Sequence, residues 1–234
     1  MKITIVTINY NNALGLEKTI KSVNQQTAII NRDFEYIIID GASTDDSLKV
    51  ISKYDINHIS EPDNGISDAF NKGINLASGK YILMLNSGDE LFENDTIRKV
   101  LSHIDEEDYD LYYGDVINSE TYQFVGRKAQ YTYPDTIPHQ GAFVKKTHCM
   151  RLMYSLKFKI RMDYDFFSRL LKLKIKIKKL PFIVAKYENG GVSMNVRNRV
   201  IFYSEAITID FRDRNISIGS NIIRYTYHKI RGLL

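Results

Sequence analysis

Polar side chains with metal-binding and phosphate-binding chemistry follow four apolar stretches in the first half of the chain. They are Asn9, Asp40, Glu61 and the segment 86–89, whose last residue is Asp89. In proteins Mg²⁺ and Mn²⁺ are commonly held by one or two carboxylates together with phosphate oxygens of a substrate. We therefore expect a metal-dependent site for a nucleotide phosphate where these four positions meet.

The elements that position these side chains alternate between strand and helix. Apolar, β-branched runs at 2–8, 34–39, 57–60 and 81–85 predict strands, and apolar residues at helical spacing between them predict helices. This βαβαβαβ order predicts a parallel sheet covered by helices, a Rossmann-like arrangement whose ligands lie outside the carboxyl ends of the strands. The four polar positions are those ends.

The second half of the chain is less regular. Its patterns predict a helix after Asp95, strands at 109–117, 122–125 and 174–179, a helix at 163–173 and amphipathic segments within 197–234. No internal repeat or linker interrupts it, so we expect this half to complete the same domain.

Composition and motifs exclude several classes of protein. The chain has 234 residues, of which 44% are hydrophobic and 26% charged, as is typical of globular domains. Its single cysteine, Cys149, excludes an intrachain disulfide and a cysteine-rich zinc site. Neither a P-loop nor a G-x-G-x-x-G motif follows the first strand, which argues against P-loop NTPases and dinucleotide dehydrogenases. No apolar run reaches the roughly 18 residues of a membrane span and no signal peptide is recognisable, so we expect a cytoplasmic protein.

The formal net charge of +4 hides an asymmetry between the two halves. Residues 1–144 contain 12 basic and 22 acidic residues, a net charge of −10, whereas residues 145–234 contain 20 and 6, a net charge of +14. Such a basic half either binds an anionic partner, such as a membrane surface, or forms a solvated basic face. Nucleic acid is not expected, because the acidic half would repel a phosphate backbone and no recognition motif is present.

Four segments together resemble glycosyltransferase family 2, the inverting enzymes with the GT-A fold. They read TINYNN at 7–12, IIIDGASTDDS at 37–47, EPDNGISDAFNKGINLASG at 61–79 and LNSGDEL at 85–91. The resemblance is greatest to the branch that builds bacterial O-antigen, capsule and colanic-acid-type polysaccharides, and it covers about residues 1–195. It implies an α/β GT-A fold with a mostly parallel, Rossmann-like sheet: a nucleotide-binding half at 1–90, an acceptor-binding half at 91–195 and a C-terminal helical tail at 196–234.

By this resemblance, the first strand ends hold the nucleoside. Thr7, Asn9 and Tyr10 are expected to line the uracil and ribose pocket, and Asp40 to accept the uracil N3–H. Asp45 either helps to hold the loop or caps a helix.

The resemblance assigns further nucleotide contacts to Asp68 and Lys72 on the next helix, although their spacing also suits a surface ion pair. Asn86, Ser87 and Gly88 complete the expected nucleotide-binding set. Gly88 is expected to let the donor sugar approach the backbone.

The metal motif of the family is reduced in this chain. Where the family has D-x-D or D-x-D-D, the chain has Asn86, Ser87, Gly88 and Asp89, so Asp89 alone matches a ligand of Mg²⁺ or Mn²⁺. One carboxylate with two phosphate oxygens and water is still an ordinary Mg²⁺ shell.

The resemblance places the general base in the second half, at a helix start reading MDYDFFSR over 162–169. Asp163 matches the carboxylate that takes the proton of the acceptor hydroxyl, with Asp165 as the alternative; both also suit the first turn of a helix. Met162 stands where the family usually has Glu. His139 and Gln140 match an element beside the donor sugar or the acceptor, although a lone histidine is often structural. Residues 187–193 resemble a closing loop.

These observations predict an inverting transferase. It would move a hexose or N-acetylhexosamine from a nucleotide sugar, expected to be UDP-linked, to a hydroxyl of a lipid-linked oligosaccharide. Residues 157–161, 172–179 and 216–234 would hold it at the inner face of the cytoplasmic membrane, unless the last segment simply packs on the domain. The alternative is a non-catalytic, nucleotide-sugar-binding scaffold of a polysaccharide assembly complex.

Overall fold

A computed structural model describes residues 1–125, 137–189, 198–214 and 218–231. Its strands are β1 (Ile3–Asn9), β2 (Glu35–Asp40), β3 (Asn57–Ser60), β4 (Tyr81–Met84), β5 (Glu90–Leu91), β6 (Leu111–Asn118), β7 (Phe124–Val125), β8 (Ala142–Lys145) and β9 (Ile177–Tyr187). Its α-helices are α1 (Ala13–Asn24), α2 (Ser47–Ile51), α3 (Ile66–Leu76), α4 (Thr96–Glu106), α5 (Lys146–Leu152), α6 (Met162–Leu171), α7 (Arg199–Asp213) and α8 (Ile218–Arg231).

The strands form one sheet in the order β3-β2-β1-β4-β8-β6-β9-β5, with β7 paired to β6. The first four are parallel, as predicted. Three of them, β1, β2 and β4, are buried on both faces, as is usual for parallel strands, and the edge strand β3 is largely exposed. Their register sets Asn9 beside Asp40 and Asp40 beside Ser60. The polar strand ends therefore do meet at one edge of the sheet.

The second half extends the sheet with strands of both directions. β8 runs antiparallel to both β4 and β6, and β6 runs parallel to β9. The strand predicted at 174–179 is wrong in extent, since β9 continues to Tyr187 around the buried Leu180, Val184 and Ala185. The short β5, β8 and α5 were not predicted, because segments of two to seven residues are too short to show a clear hydrophobic period.

Two apolar layers hold the helices on the sheet. Helices α1, α2 and α4 pack on one face, around Leu16, Ile20 and Val100. Helices α3, α5 and α6 pack on the other, around Phe70, Cys149 and Phe166, and Ile209 of α7 joins this layer. The sheet is thus covered on both sides, so its ligand-binding surface is the edge formed by the strand ends.

The predicted C-terminal tail is helical, as expected. Helix α7 runs beside α6 and α8 folds back along α7, where the ring of His228 stacks on Tyr203. The predicted boundary near residue 195 and most of the predicted closing loop lie outside the described residues. No helix in the described ranges combines the length and apolar character needed to cross a membrane.

Candidate active site

A cavity of about 750 Å³ opens where the parallel strands end. Each of its walls follows one strand. The lining residues are Ile8 and Asn9 at the end of β1 with Tyr10 and Asn12 after it, Gly41 and Ala42 after β2, Pro62, Asp63, Gly65, Ile66 and Ala69 after β3, and Asn86 and Ser87 after β4. The sequence therefore located this edge correctly, but not every predicted side chain reaches the cavity.

Asp40 lies beneath the cavity and not on its surface. Its buried carboxylate accepts hydrogen bonds from Asn9 Nδ2 (2.8 Å), from Ser43 N (2.9 Å) and Oγ (2.6 Å), and from Ser60 Oγ (2.7 Å). Burial opposes its ionisation, but these donors together lower the pKa of Asp40. Both oxygens are engaged in these hydrogen bonds, through which Asp40 holds the loop and Asn9 in place. The expected contact of Asp40 with uracil N3–H stays a prediction.

Thr7 also differs from its expected position. It is fully buried within the sheet and accepts a hydrogen bond from the hydroxyl of Tyr36, so it does not line the pocket. Asn9 and Tyr10 do line it, and the ring of Tyr10 is 67% exposed. Position along β1 explains the difference, because Thr7 lies inside the strand whereas Asn9 ends it and Tyr10 follows its end.

Asp45 combines the two roles left open by its sequence. Its carboxylate accepts from the backbone N–H of Ala13, at the start of α1, and from that of Ser47, at the start of α2. The hydroxyl of Ser47 is the largest cause of the lowered pKa of Asp45, and the two backbone N–H groups add smaller contributions. Asp45 thus ties together the two loops that follow β1 and β2.

Asp63 is a cavity carboxylate that the sequence reasoning missed. A Cβ placed on Gly41 would lie 2.6 Å from Asp63 Oδ2 and 3.2 Å from Tyr10 Cδ2, so the glycine leaves room for both side chains in these positions. Asp63 Oδ1 accepts from Gly65 N at 2.8 Å. The available signal was its place in the Pro62–Gly65 turn, directly after a strand.

Asp68 and Lys72 support the cavity wall without lining it. Asp68 accepts from the backbone N–H and the side chain of Asn64, and Lys72 pairs with Glu61 at 2.9 Å and donates to Pro62 O. Lys72 therefore contacts Glu61 in place of the expected i,i+4 partner. Both side chains fix the loop that carries Asp63.

The segment 86–89 closes the other side of the cavity. Ser87 Oγ donates to Ile8 O and to Asn9 Oδ1, so the β4 loop is fixed to the end of β1. Gly88 has φ +101°, and its missing side chain leaves room for Glu188, whose Oε2 lies 2.3 Å from the position of a Cβ. The expected space for a donor sugar is thus filled here by a carboxylate that the sequence did not indicate.

Asp89 is buried beside this loop. Burial raises its pKa to about 6, against the opposing effects of His139, of the backbone N–H groups of Glu188 and Asn86, and of the side chain of Gln140. The carboxylate accepts from those two N–H groups at 3.2 Å each.

We tested these residues for their fit to the implied divalent cation. Within the described ranges no three His, Cys, Asp or Glu residues are grouped to hold a metal. Beside Asp89, however, the amide oxygen Oδ1 of Asn86 is buried without a hydrogen-bond partner in the described structure. Two hard oxygen donors fit Mg²⁺ or Mn²⁺, provided that the nucleotide phosphates supply further ligands.

Asp163 is connected to the cavity through a histidine. Asn86 Nδ2 lies 3.1 Å from His139 Nε2, and His139 Nδ1 lies 3.5 Å from Asp163 Oδ2. Because an amide nitrogen can only donate, Nε2 accepts and Nδ1 carries the proton toward Asp163. Burial opposes the ionisation of Asp163, but His139 and Arg161 outweigh it and lower its pKa. Asp163 is therefore held as a carboxylate, and its side chain is 38% exposed.

Asp165, the alternative base, has a structural position. It is fully buried, and it pairs with Arg169 of its own helix (2.9 Å to Nε) and with Arg212 of α7. Arg169 also donates to the carbonyl oxygens of Leu152 and Met153. Asp165 therefore joins α6 to α7 and to the end of α5, and it faces away from His139.

Comparisons with known proteins give a consistent result. The family model described as "Glycosyl transferase family 2" matches residues 4–168. A PGL/p-HBAD biosynthesis glycosyltransferase of Mycobacterium bovis (strain BCG / Pasteur 1173P2) is 31% identical over 207 residues, covering 82% of this chain and 79% of its own. An uncharacterized glycosyltransferase of Nostoc sp. is 32% identical over 122 residues, covering 45% of this chain and 37% of its own.

Solved structures share the fold at low identity. A fragment of S. aureus TarS in complex with UDP-GlcNAc has a TM-score of 0.72 at 17% identity, over 97% of this chain and 71% of its own. A mannosyltransferase, PcManGT from Pyrobaculum calidifontis, in complex with GDP-Man and Mn²⁺, has a TM-score of 0.67 at 15% identity, over 97% and 68%. At these identities the likeness describes the GT-A architecture.

Proposed function

Because the chain belongs to glycosyltransferase family 2, we propose that it is an inverting enzyme that transfers a hexose or N-acetylhexosamine. The donor is a nucleotide sugar with UDP as leaving group. The acceptor is a hydroxyl of a lipid-linked oligosaccharide in the synthesis of a surface polysaccharide such as O-antigen or capsule.

The observation that carries this proposal is the chain of side-chain contacts that links the cavity to Asp163, the proposed general base. Asn86 lines the cavity and contacts His139, which contacts Asp163. A donor whose nucleoside fills the cavity would extend its sugar along this path toward the carboxylate. Asp163 would take the proton of the acceptor hydroxyl as that oxygen attacks the anomeric carbon and the diphosphate leaves on the opposite side.

The nucleoside is proposed to lie between Tyr10 and Asp63. The exposed ring of Tyr10 offers a stacking surface, and Asp63 is the wall carboxylate able to accept an N–H of the base. Uracil N3–H and guanine N1–H both satisfy this requirement, and the related folds hold UDP-GlcNAc or GDP-Man. We favour UDP, and guanosine diphosphate sugars are the competing outcome of the test below.

A divalent cation would be held by Asp89 and Asn86 Oδ1 together with diphosphate oxygens. When bound, it supplies neutralisation of the charge on the leaving diphosphate. His139 and Gln140 both act on Asp89, and His139 also contacts Asp163. We propose that they contact the donor sugar.

Calorimetric titration of UDP, GDP and dTDP with and without Mn²⁺ tests the nucleotide site. We expect UDP to bind most tightly and Mn²⁺ to strengthen its binding. Transfer is then measured from UDP-glucose, UDP-galactose and their N-acetylated forms to synthetic polyprenyl-diphosphate-linked sugars. Failure of all three nucleotides to bind would reject the proposed donor site.

Metal-dependent donor binding should weaken as the pH falls below about 6, where Asp89 becomes protonated. The ligand for this measurement is UDP-GlcNAc, because the terminal phosphate of UDP itself titrates near pH 6. Asp89→Asn should remove both the effect of Mn²⁺ and this pH dependence.

The stability of the Asp89→Asn variant provides the control. Because the pKa of Asp89 is raised in the folded state, the wild type loses stability as the pH rises through about 6. The amide side chain of the variant carries no charge and avoids this loss. At neutral pH the Asp89→Asn variant should therefore unfold at the same temperature as the wild type or at a higher one. Loss of metal-dependent binding is then not a loss of folding. Unchanged Mn²⁺ dependence in a folded variant would exclude Asp89 as a ligand.

The second candidate function is a non-catalytic scaffold that binds a nucleotide sugar. The reduced metal motif and Met162 favour it, whereas the carboxylates of Asp89 and Asp163 favour catalysis. Tight UDP binding without turnover of any donor, over the whole acceptor panel, would support the scaffold.

Contact with a membrane surface is proposed for α8. Its exposed apolar side chains stand among Arg224 and Lys229, and the helix contains no acidic residue; the apolar set is Ile222, Ile223, Tyr227 and Ile230. The ring of His228, near the end of α8, stacks on Tyr203 of α7. The neighbouring Phe202 packs on the guanidinium of Arg161, at the start of α6. A lipid bound there would lie near the helix start that carries Asp163. The other predicted basic cluster, 172–179, begins at the opposite end of α6.

Ile222→Ser should weaken binding to vesicles containing anionic phosphatidylserine about fivefold at low salt, because half-exposed isoleucine surface is lost from the interface. Co-sedimentation measures the binding. Ile29→Ser is the matched control, since Ile29 is 49% and Ile222 48% exposed. Equal effects of the two substitutions, or equal binding to neutral vesicles, would reject α8 as the contact surface.

A further inference from the structure

Glu205 of α7 binds the segment that leads into the base-carrying helix. Its carboxylate accepts hydrogen bonds from three consecutive backbone N–H groups: Lys159 at 2.9 Å, Ile160 at 3.0 Å and Arg161 at 2.9 Å. Consecutive N–H groups that converge in this way form an anion-binding concavity, and the positive end of a helix dipole strengthens it.

The start of α6 depends on this carboxylate. Arg161 occupies the N-cap position, and its side chain makes no capping hydrogen bond. The usual N-cap residues supply an oxygen from their own side chain. Here an oxygen from a helix more than forty residues later in the chain binds the N–H groups that precede the helix.

Asp163 follows this segment directly. It lies in the first turn of α6, two residues after Arg161, and its Oδ1 accepts the backbone N–H of Tyr164. Any shift of the segment 159–161 would therefore move the Asp163 carboxylate relative to His139, which is the contact that connects it with the cavity.

Further contacts hold α7 in register beside α6. The guanidinium of Arg161 lies between the rings of Tyr164 and Phe202, at 4.2 and 4.4 Å from their centroids. The Tyr164 hydroxyl donates to Asp210, and Asp213 pairs with Lys172 near the other end of α6. Glu205 is thus presented from a fixed helix.

We propose that Glu205 is a positioning residue for the proposed transfer reaction, acting through the backbone of residues 159–161 to set the place of the Asp163 carboxylate. This inference rests on the proposed function, with Asp163 as the base. It makes the C-terminal helices part of the catalytic architecture and gives them a role besides membrane contact.

Glu205→Gln and Glu205→Ala test the proposal. Misplacement of a reacting group by about 1 Å costs on the order of 10²-fold in rate. We therefore expect kcat to fall about tenfold in the Glu205→Gln variant and about a hundredfold in the Glu205→Ala variant. The Kd of UDP-GlcNAc should be unchanged in both. Amide hydrogen exchange at residues 159–161 should become at least about tenfold faster in Ala, because hydrogen bonds to a charged acceptor are lost. This second readout requires no activity.

Asp213→Asn is the matched control. It removes another contact between α7 and α6, at the end remote from Asp163, so it should lower the unfolding temperature without changing kcat per folded molecule. Equal kcat losses in Glu205→Ala and Asp213→Asn, or unchanged exchange at 159–161 in Glu205→Ala, would overturn the positioning role. If the wild-type protein transfers no sugar while exchange at 159–161 does respond, the proposed function fails and the structural role of Glu205 stands.

Discussion

Replacing Asp163 with Asn is expected to lower the rate of sugar transfer by about 10²–10⁴-fold, the usual contribution of a general base. The amide retains the shape of the side chain but cannot take a proton from the acceptor hydroxyl. Because Asp163 does not line the nucleotide cavity, the affinity for UDP-GlcNAc should remain at the wild-type value. Initial rates and calorimetric titration of the same preparation measure the two quantities.

The pH profile gives an independent check on this assignment. Because the pKa of Asp163 is lowered, the carboxylate is ionised at neutral pH, and its protonation should not limit activity there. Asp46→Asn, which changes an exposed carboxylate paired with Lys49, serves as the control for loss of one charge. A fully active Asp163→Asn variant would place the base elsewhere.

Asp165→Asn is expected to act on stability. Removal of one partner from a buried ion pair costs about 3–5 kcal/mol, and we expect about 3 kcal/mol here because Arg212 is 40% exposed and keeps its contact with Asp213. Burial of the carboxylate between two guanidinium groups is the physical reason. Chemical denaturation without nucleotide measures the loss.

Activity separates the two carboxylates. Transfer per folded molecule should be close to wild type in Asp165→Asn, because Asp165 does not face His139. A variant that is as stable as the wild type and inactive would reverse the roles of Asp163 and Asp165. Together the two substitutions decide between the alternatives that the sequence left open.

Helical geometry explains why the sequence alone left them open. Residues i and i+2 of an α-helix lie about 200° apart around its axis, so Asp163 and Asp165 must face opposite sides. Local sequence does not say which side faces the site. That is settled by Arg212, which reaches Asp165 from α7 and is 47 residues away.

The parallel half of the sheet was predictable because the sequence patterns that mark each strand lie within that strand and directly after it. β-branched runs mark the strands, and the polar residues after them mark the ligand edge. The hydrogen-bond partners of each side chain at that edge were harder to predict. Asp40, for example, accepts from Ser60, which comes beside it only through the register of β2 and β3. Asp63 was overlooked, since the turn that carries it also has an ordinary structural explanation.

The second half was predicted less well because its contacts are distant in sequence. Glu188 fills the space beside Gly88 from just after the end of β9, and Glu205 binds the backbone segment that leads into α6, more than forty residues earlier in the chain. Neither glutamate lies in a motif with a recognisable period or spacing.

During synthesis, the residues that line the nucleotide cavity leave the ribosome well before Glu205, whose carboxylate binds the segment leading into α6. The residues that line the cavity lie between Ile8 and Ser87, whereas Glu205 leaves the ribosome more than a hundred residues later. A nascent chain that has not yet exposed α7 would therefore be able to form the donor pocket while its base remains unplaced. Under the proposed scheme, full transfer activity requires that α7 has docked, and incomplete chains consume activated sugar only slowly.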